Sequence, residues 1–350
     1  TALPNGAAQI CLKQALDRTP SFSFESLDLA SYPYAVAPPH LRPCGDSARL
    51  AGVQGTLAMV DSAGKERLRR KTASVSILVG ERGRAQAFYE ELMASLGYKH
   101  NRAQFRELAR LVPYAQLREE CAFEPTRAYA ILLGVAGLLP ERTSGGWDVE
   151  TRAFVRALWD QWWKLQSRWD SPMPRSAWKL SGVRPLNSPV RRLAAAASLF
   201  ARRSDILADI MAIDGSAAGS WFDKAGAVLA GSGIEYWRKR SSFSGTPGRK
   251  DVALLGEGRV NAMLSNVVIP FLAAMGRHVE SLLKGMPPED ENVHVRQVAH
   301  SLFGRDHNAA LYQDGLRQQG LLQIFQDFCL NTRTGCRDCR LAAELGTKGS

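Results

Sequence analysis

The sequence predicts a mainly α-helical protein, with two helical lobes in contact and a short extended N-terminal arm. From Asp46 onward, apolar residues recur every three to four positions, which places them on one face of a helix. No stretch alternates strand and helix patterns as a parallel-sheet fold requires. The proline-rich segment at residues 171–189 interrupts the helical pattern, so we place the lobes at residues 46–170 and 171–350.

The predicted arm comprises residues 1–45. Its run S-F-S-F-E-S-L-D-L alternates apolar and polar residues as a strand does. The later run Y-P-Y-A-V-A-P-P-H-L-R-P-C contains four prolines, which prevent a regular helix or strand. We therefore expect an extended segment with little core of its own.

The first lobe is predicted to contain four helices. In F-Y-E-E-L-M-A-S-L the apolar residues recur every four positions, and Gly97 is placed to end that helix. Asn101 is placed to cap the next helix, R-A-Q-F-R-E-L-A-R-L. Residues 124–139 carry almost no polar side chain and must be buried, and Asp148 is placed to begin a long amphipathic helix. The helices predicted for the second lobe span residues 189–203, 204–213, 220–231, 256–277, 293–304 and 308–330.

Residues 181–203 form the first candidate binding surface. Arg184 precedes a proline and should be extended, Ser188 or Asn187 can cap the following helix, and Pro189 suits its first turn. A helical projection places the apolar side chains on one side and the arginines within an arc of about 120° on the other. We predict that this arginine stripe contacts nucleic-acid phosphates; the alternative is an ordinary solvated helix face. The predicted nucleic-acid-binding residues are Arg184, Asn187, Arg191, Arg192, Arg202 and Arg203.

A second basic segment, residues 237–250, interleaves its charges with Trp237 and Phe243. Basic groups beside stacking aromatic rings suit single-stranded nucleic acid. A surface loop without a ligand fits the same pattern.

The overall charge favours anionic partners. The chain has 45 basic and 34 acidic residues, a difference of +11, and DNA or RNA is the first candidate for such a partner. The sequence contains no H-E-x-x-H, G-x-S-x-G or phosphate-loop motif. Its apolar runs are too short for a membrane span and no signal peptide is visible, so we expect a cytoplasmic protein without a membrane partner.

Three of the six cysteines lie close together near the C-terminus, with the spacing C-x6-C-x2-C. Clustered cysteines in a reducing compartment favour metal binding over disulfides, and zinc or an iron–sulfur cluster both accept thiolates. The predicted metal ligands are Cys44, Cys329, Cys336 and Cys339, with Cys121, Cys11 or a histidine as alternatives to Cys44. The opposing interpretation is that the three C-terminal thiols are unrelated.

Several motifs together resemble a bacterial family of proteins of unknown function, DUF2851. They include E-R-L-R-R-K, F-Y-E-E-L-M-A-S-L-G-Y-K-H-N, G-V-R-P-L-N-S-P-V-R-R, N-V-V-I-P-F-L and G-L-L-Q-I-F-Q-D-F-C. Arg184, Asn187, Arg191 and the three C-terminal cysteines lie at matching positions. The resemblance implies a further nuclease-like N-terminal region in full-length members. This chain would then be the helical C-terminal part, its arm would be the tail of that region, and nuclease activity would require it.

The sequence therefore predicts a nucleic-acid-binding helical module with a cysteine-ligated zinc or iron–sulfur centre. The alternative is a structural or protein-interaction module without metal. A third interpretation, an endonuclease III-type glycosylase, shares the C-x6-C-x2-C spacing but requires a fourth cysteine shortly after Cys339, and no cysteine follows Cys339 in this sequence. We assign no catalytic residue in this chain.

Overall fold

The computed structural model describes residues 43–140, 146–169, 172–215, 217–230, 233–289, 292–304, 306–330, 336 and 339–346. This part of the chain consists of helices and loops without a strand, which confirms the mainly α prediction. Residues 1–42 of the predicted arm lie outside it. The helices are α1 (Pro43–Arg82), α2 (Arg84–Leu96), α3 (Arg102–Leu111), α4 (Tyr114–Cys121), α5 (Pro125–Val135), α6 (Val149–Leu165), α7 (Pro189–Phe200), α8 (Ile206–Met211), α9 (Ala218–Ala230), α10 (Glu257–Met263), α11 (Ile269–Ala274), α12 (Glu280–Lys284), α13 (Val293–Phe303), α14 (Gly315–Ile324) and α15 (Arg340–Gly346). No helix in these ranges is both long and apolar enough to cross a membrane.

Helix α1 contains a break at Gly52. The φ of Gly52 is 69° and its ψ is 169°, a conformation that favours glycine. The break removes helical hydrogen bonds, and the buried hydroxyl of Thr56 replaces one of them by donating to the Ala48 carbonyl at 3.1 Å. Helix α1 starts at Pro43, so residues 43–45 of the predicted arm are helical. Proline is common in the first turn of a helix, where its missing N–H would have no partner in any case.

The main hydrophobic core includes residues from both predicted lobes. Tyr89 of α2 packs against Phe200 of α7 with ring centroids 4.6 Å apart, and Phe88 meets Phe271 of α11 at 5.1 Å. The buried residues therefore do not divide at residues 171–189, and the two-lobe arrangement stays a prediction. A second, smaller cluster contains Cys44, Ala48, Val60, Val295, Val298, Ala299, Leu302, Leu321, Ile324, Leu341 and Leu345.

Two glycines allow α1 and α14 to pack with their backbones in contact. A Cβ atom on Gly320 would lie 2.0 Å from the Val60 carbonyl oxygen, and one on Gly64 would lie 2.4 Å from the Leu316 carbonyl oxygen. Neither position leaves space for even a methyl group. This glycine contact holds α14 against α1 beside the smaller cluster.

Two predicted helices contain a π-helical turn, in which amides bond to carbonyls five residues earlier. At Leu264–Val268 the Ile269 amide donates to the Leu264 carbonyl. Pro270 follows, and because it has no N–H it cannot continue the ordinary helical pattern. The second turn, Phe325–Cys329, ends with the Leu330 amide donating to the Phe325 carbonyl at 2.8 Å. Such turns re-aim the side chains around them.

Asn101 does not cap α3 with its side chain, contrary to the sequence prediction. Its side chain instead pairs with the main chain of Lys179: Nδ2 donates to the carbonyl at 3.0 Å, and Oδ1 accepts from the amide at 2.8 Å. Asn101 is buried, so it ties the turn between α2 and α3 to the segment that precedes α7. The predicted caps at Asp148 and Ser188 are confirmed, since they accept from the Thr151 and Arg191 amides.

We expect Asn101→Ala to lower the free energy of unfolding by about 1–3 kcal/mol, because it leaves the Lys179 amide and carbonyl without their partners. Asn101→Asp keeps the acceptor oxygen and loses the N–H donor. It should therefore also lower the free energy of unfolding, by an amount that depends on pH. Urea denaturation measures both. An Asn101→Ala variant as stable as the unmodified protein would contradict this assignment.

Candidate metal centre and arginine cluster

A cavity of about 80 Å³ lies where the start of α1 meets α13 and the C-terminal residues. All four cysteines predicted as ligands contribute to its wall: Cys44, Cys329, Cys336 and Cys339. The structure thus brings Cys44 to the C-terminal cysteines, as expected for the fourth member of the set. Their role as metal ligands stays a prediction. The rest of the wall is formed by Gln297, Val298, Ser301, Leu302, Phe328 and Leu341.

Packing of the smaller hydrophobic cluster positions these thiols. Cys44 is buried at the second residue of α1, and its Sγ lies 3.8 Å from the Ser301 carbonyl oxygen on α13. Cys329 is the last residue of the second π-helical turn, and Cys339 immediately precedes α15. Both are half-buried, as is Cys336. Three separate segments therefore present thiols to one space.

The four cysteines surround the cavity without forming a closed coordination sphere. In the ranges that the structure describes, no three Cys, His, Asp or Glu side chains are grouped closely enough to hold a metal ion. The donor chemistry nevertheless fits, because four thiols in an otherwise largely apolar wall are the ligand set that zinc and iron–sulfur clusters accept.

Arg191 is buried, which corrects its predicted place on an exposed stripe. Its Nη1 donates to the Trp237 carbonyl at 2.7 Å and to the Arg240 carbonyl. Its Nη2 donates to the carbonyls of Val252 at 2.7 Å and Ala253 at 3.0 Å. Arg191 therefore organises the loop after α9 from inside and does not present its charge to a phosphate.

Arg192 is also buried, with 4% of its surface exposed, so the exposed stripe is wrong for this residue too. Its Nη1 donates to the Leu254 carbonyl at 2.5 Å, while Nη2 donates to Asn187 Oδ1 at 2.6 Å and to the Tyr98 hydroxyl. Burial lowers the pKa of Arg192 to about 10, and it remains a cation at neutral pH. Asn187, predicted as a helix cap and a nucleic-acid contact, accepts from this guanidinium instead.

The remaining predicted arginines lie at opposite ends of α7. Arg184 is exposed just before the short turn Pro185–Asn187 that precedes α7. At the far end, Arg202 donates to the Val228 carbonyl at 2.5 Å, and Arg203 is exposed with its guanidinium carbon 5.5 Å from the Phe123 ring centroid. The six predicted residues therefore do not form one continuous stripe.

The aromatic residues of the second basic segment are packed within the protein. Trp237 is fully buried, and its ring centroid lies 5.1 Å from that of Phe243. The buried guanidinium of Arg240 between them in sequence pairs with Asp148 and Glu150, both at 2.7 Å. Trp237 is therefore not presented for stacking with a base, which corrects the expectation for this ring, and Phe243 is half-buried against the main core.

One polar network had no counterpart in the sequence predictions. The Lys71 ammonium on α1 donates to Asn266 Oδ1 and, at 3.0 Å, to Gln319 Oε1. Both amides donate in turn to Glu289 Oε1. Burial, followed by the charge of Arg67, lowers the pKa of Lys71 well below its usual value, whereas Glu289 acts in the opposite direction. The E-R-L-R-R-K run supplies Lys71 and Arg67, but nothing in its pattern indicates these distant partners.

The fold and these sites define a mainly helical protein with a thiol-lined cavity and buried arginines. A family model described as "Protein of unknown function (DUF2851)" matches residues 25–284, and the chain belongs to this family. The family predicted from the motifs is thereby confirmed, whereas bacterial origin and a nuclease-like N-terminal region stay predictions. Cys44 and all six predicted nucleic-acid-binding residues lie inside the matched range, and the other three cavity cysteines lie outside it. No curated protein and no solved structure matches the chain.

Proposed function

We propose that this chain is a nucleic-acid-binding helical module in which a four-cysteine metal centre joins α1 to the C-terminal segment. The observation that supports the centre is the meeting of Cys44 with Cys329, Cys336 and Cys339 around one cavity. A metal bound there would be zinc or part of an iron–sulfur cluster, since both accept four thiolates.

The role of the centre in this proposal is structural. Cys44 lies in α1, and Cys339 adjoins α15, which packs on α1. Metal binding to such a set adds to the free energy of folding, because the unfolded chain does not hold the ligands together. The metal would therefore secure the C-terminal segment against α1.

Metal content and absorption spectra of anaerobically purified protein test the centre. We expect about one zinc per chain, or iron with the broad visible absorption of an iron–sulfur cluster. Cys44→Ser should lose most of this metal. Cys121→Ser is the matched control, because Cys121 is also buried but lies in the main core, where its thiol approaches the Arg118 carbonyl at 3.6 Å.

Wild-type protein without metal, or a Cys44→Ser variant that retains the full amount, would overturn the metal centre. Circular dichroism of each variant separates loss of the ligand from loss of the fold. Cys336→Ser provides an independent test at a half-buried position, where the substitution is less disruptive to packing.

The second candidate is a protein-interaction module without metal. It is favoured by the cavity geometry, because the thiols in the described residues are not grouped as metal ligands. Under this alternative, none of the cysteine variants changes metal content, and short DNA or RNA does not bind at about 0.15 M salt.

A further inference from the structure

The Tyr98 side chain lies against two guanidinium groups. The guanidinium carbon of Arg259 is 3.3 Å from its ring centroid, and that of Arg192 is 4.7 Å away. Arg192 also donates to the Tyr98 hydroxyl, and Arg259 donates to the Ser95 carbonyl at 3.3 Å. The φ of Tyr98 is 52°, a left-handed conformation that is unusual for a bulky residue and recurs at binding sites.

These two cations have no carboxylate partner within the ranges that the structure describes. Neither Arg192 nor Arg259 forms an ion pair there, and the buried Nε atom of each has no hydrogen-bond partner there. Uncompensated positive charge away from water is costly, and the cost falls when an anion binds nearby. Contact with a ring face offsets part of this cost but supplies no counter-charge.

Two solvent-exposed cationic residues neighbour this pair, of which Arg192 is buried and Arg259 is half-buried. Lys99 follows Tyr98 directly and is exposed. Arg184 is exposed as well, and its carbonyl accepts from the amide of Asn187 at 2.8 Å, while the Asn187 side chain accepts from Arg192. Two residues that adjoin this group of side chains along the chain or through Asn187 therefore carry exposed positive charge, which favours the approach of an anion.

We propose that Tyr98, Arg192 and Arg259, with Arg184 and Lys99 at the rim, form a phosphate-binding site. A phosphate accepts several N–H donors at once, and the planar guanidinium fork matches its oxygens. This inference rests on the proposed nucleic-acid function for the source of the phosphate, a backbone phosphodiester. Inorganic phosphate or a mononucleotide offers the same chemistry, and the experiment separates these sources.

The experiment measures binding of fluorescent single- and double-stranded oligonucleotides at several salt concentrations, with calorimetric titration of inorganic phosphate and a mononucleotide in parallel. The variants are Arg259→Gln and Arg184→Gln. Arg84→Gln is the matched control, since Arg84 is an exposed arginine at the start of α2 and is not among the predicted binding residues. We expect each site variant to bind oligonucleotides about tenfold more weakly and to reduce the salt slope by about one, with the control unchanged.

The outcomes distinguish the site from the proposed function. Oligonucleotide binding that both site variants retain in full would overturn the site and leave the nucleic-acid function standing. Phosphate or mononucleotide binding that Arg259→Gln abolishes, without oligonucleotide binding by the unmodified protein, would support the site and overturn the nucleic-acid function. Absence of binding to every probe would overturn both. Arg184→Gln alters an exposed side chain, so its result does not depend on the stability of the core.

Discussion

Replacing Arg191 by Met is expected to lower the free energy of unfolding by about 3–5 kcal/mol, one of the largest single-residue effects in this chain. The variant keeps most of the side-chain volume and removes every donor. Four buried or partly buried main-chain carbonyls, those of Trp237, Arg240, Val252 and Ala253, then lose a partner. The planar guanidinium of Arg191 donates to all four carbonyls at once, whereas the methionine side chain has no donor to offer them.

Urea denaturation followed by circular dichroism measures this effect, with Arg203→Met as the control. Arg203 belongs to the same predicted stripe but is exposed, so its replacement should change stability by no more than about 0.5 kcal/mol. Arg191→Lys should lie between the two, because an ammonium cannot span the four carbonyls. Equal stability of the Arg191 and Arg203 variants would show that the buried hydrogen bonds do not carry the predicted free energy.

Gly320→Ala is expected to cost about 1–3 kcal/mol or more, although alanine is the better helix former. The new methyl group would meet the Val60 carbonyl oxygen at 2.0 Å, and a main-chain atom cannot move aside as a side chain does. Helix α14 would have to separate from α1. Because Val60 and Cys44 belong to the same smaller hydrophobic cluster, we also expect weaker metal retention by the variant.

Gly80→Ala is the control of opposite sign. Gly80 lies on α1 as well, but nothing approaches within 4 Å of the position of its Cβ atom. The substitution should therefore stabilise the protein by up to about 1 kcal/mol through helix propensity alone. If Gly320→Ala stabilised the protein as Gly80→Ala does, the close packing of α1 on α14 would be wrong. Thermal and urea denaturation provide the comparison.

The sequence predicted most helices because their apolar periodicity reflects one-sided burial. It also paired Cys44 with the three C-terminal cysteines, since a metal site with three clustered thiols needs a fourth ligand. The exact bounds were less predictable. A π-helical turn does not change the apolar pattern that a helical projection detects, so the sequence predicts continuous helix through Leu264–Val268 and Phe325–Cys329.

The arginines show a different limit of sequence reasoning. A helical projection places Arg191 and Arg192 opposite the apolar side of α7. It cannot show whether water or another part of the protein contacts the arginine side. Every residue from 191 to 200 is buried, and main-chain carbonyls of the segment 237–254 take the place of water. The sequence does not predict the contact of Arg259 with Tyr98, because this contact joins distant parts of the chain without any local motif.

The packing of α1 against α14 and α15 also sets an order of events during synthesis. The N-terminal half of α1 is synthesised before Gly320 and its neighbours, which cover residues such as Val60 in the folded protein. Until then this helix face must stay exposed or be shielded by a chaperone, because contacts between distant segments form late. Chains that stop before α14 would keep the face uncovered, which makes incomplete products targets for proteolysis.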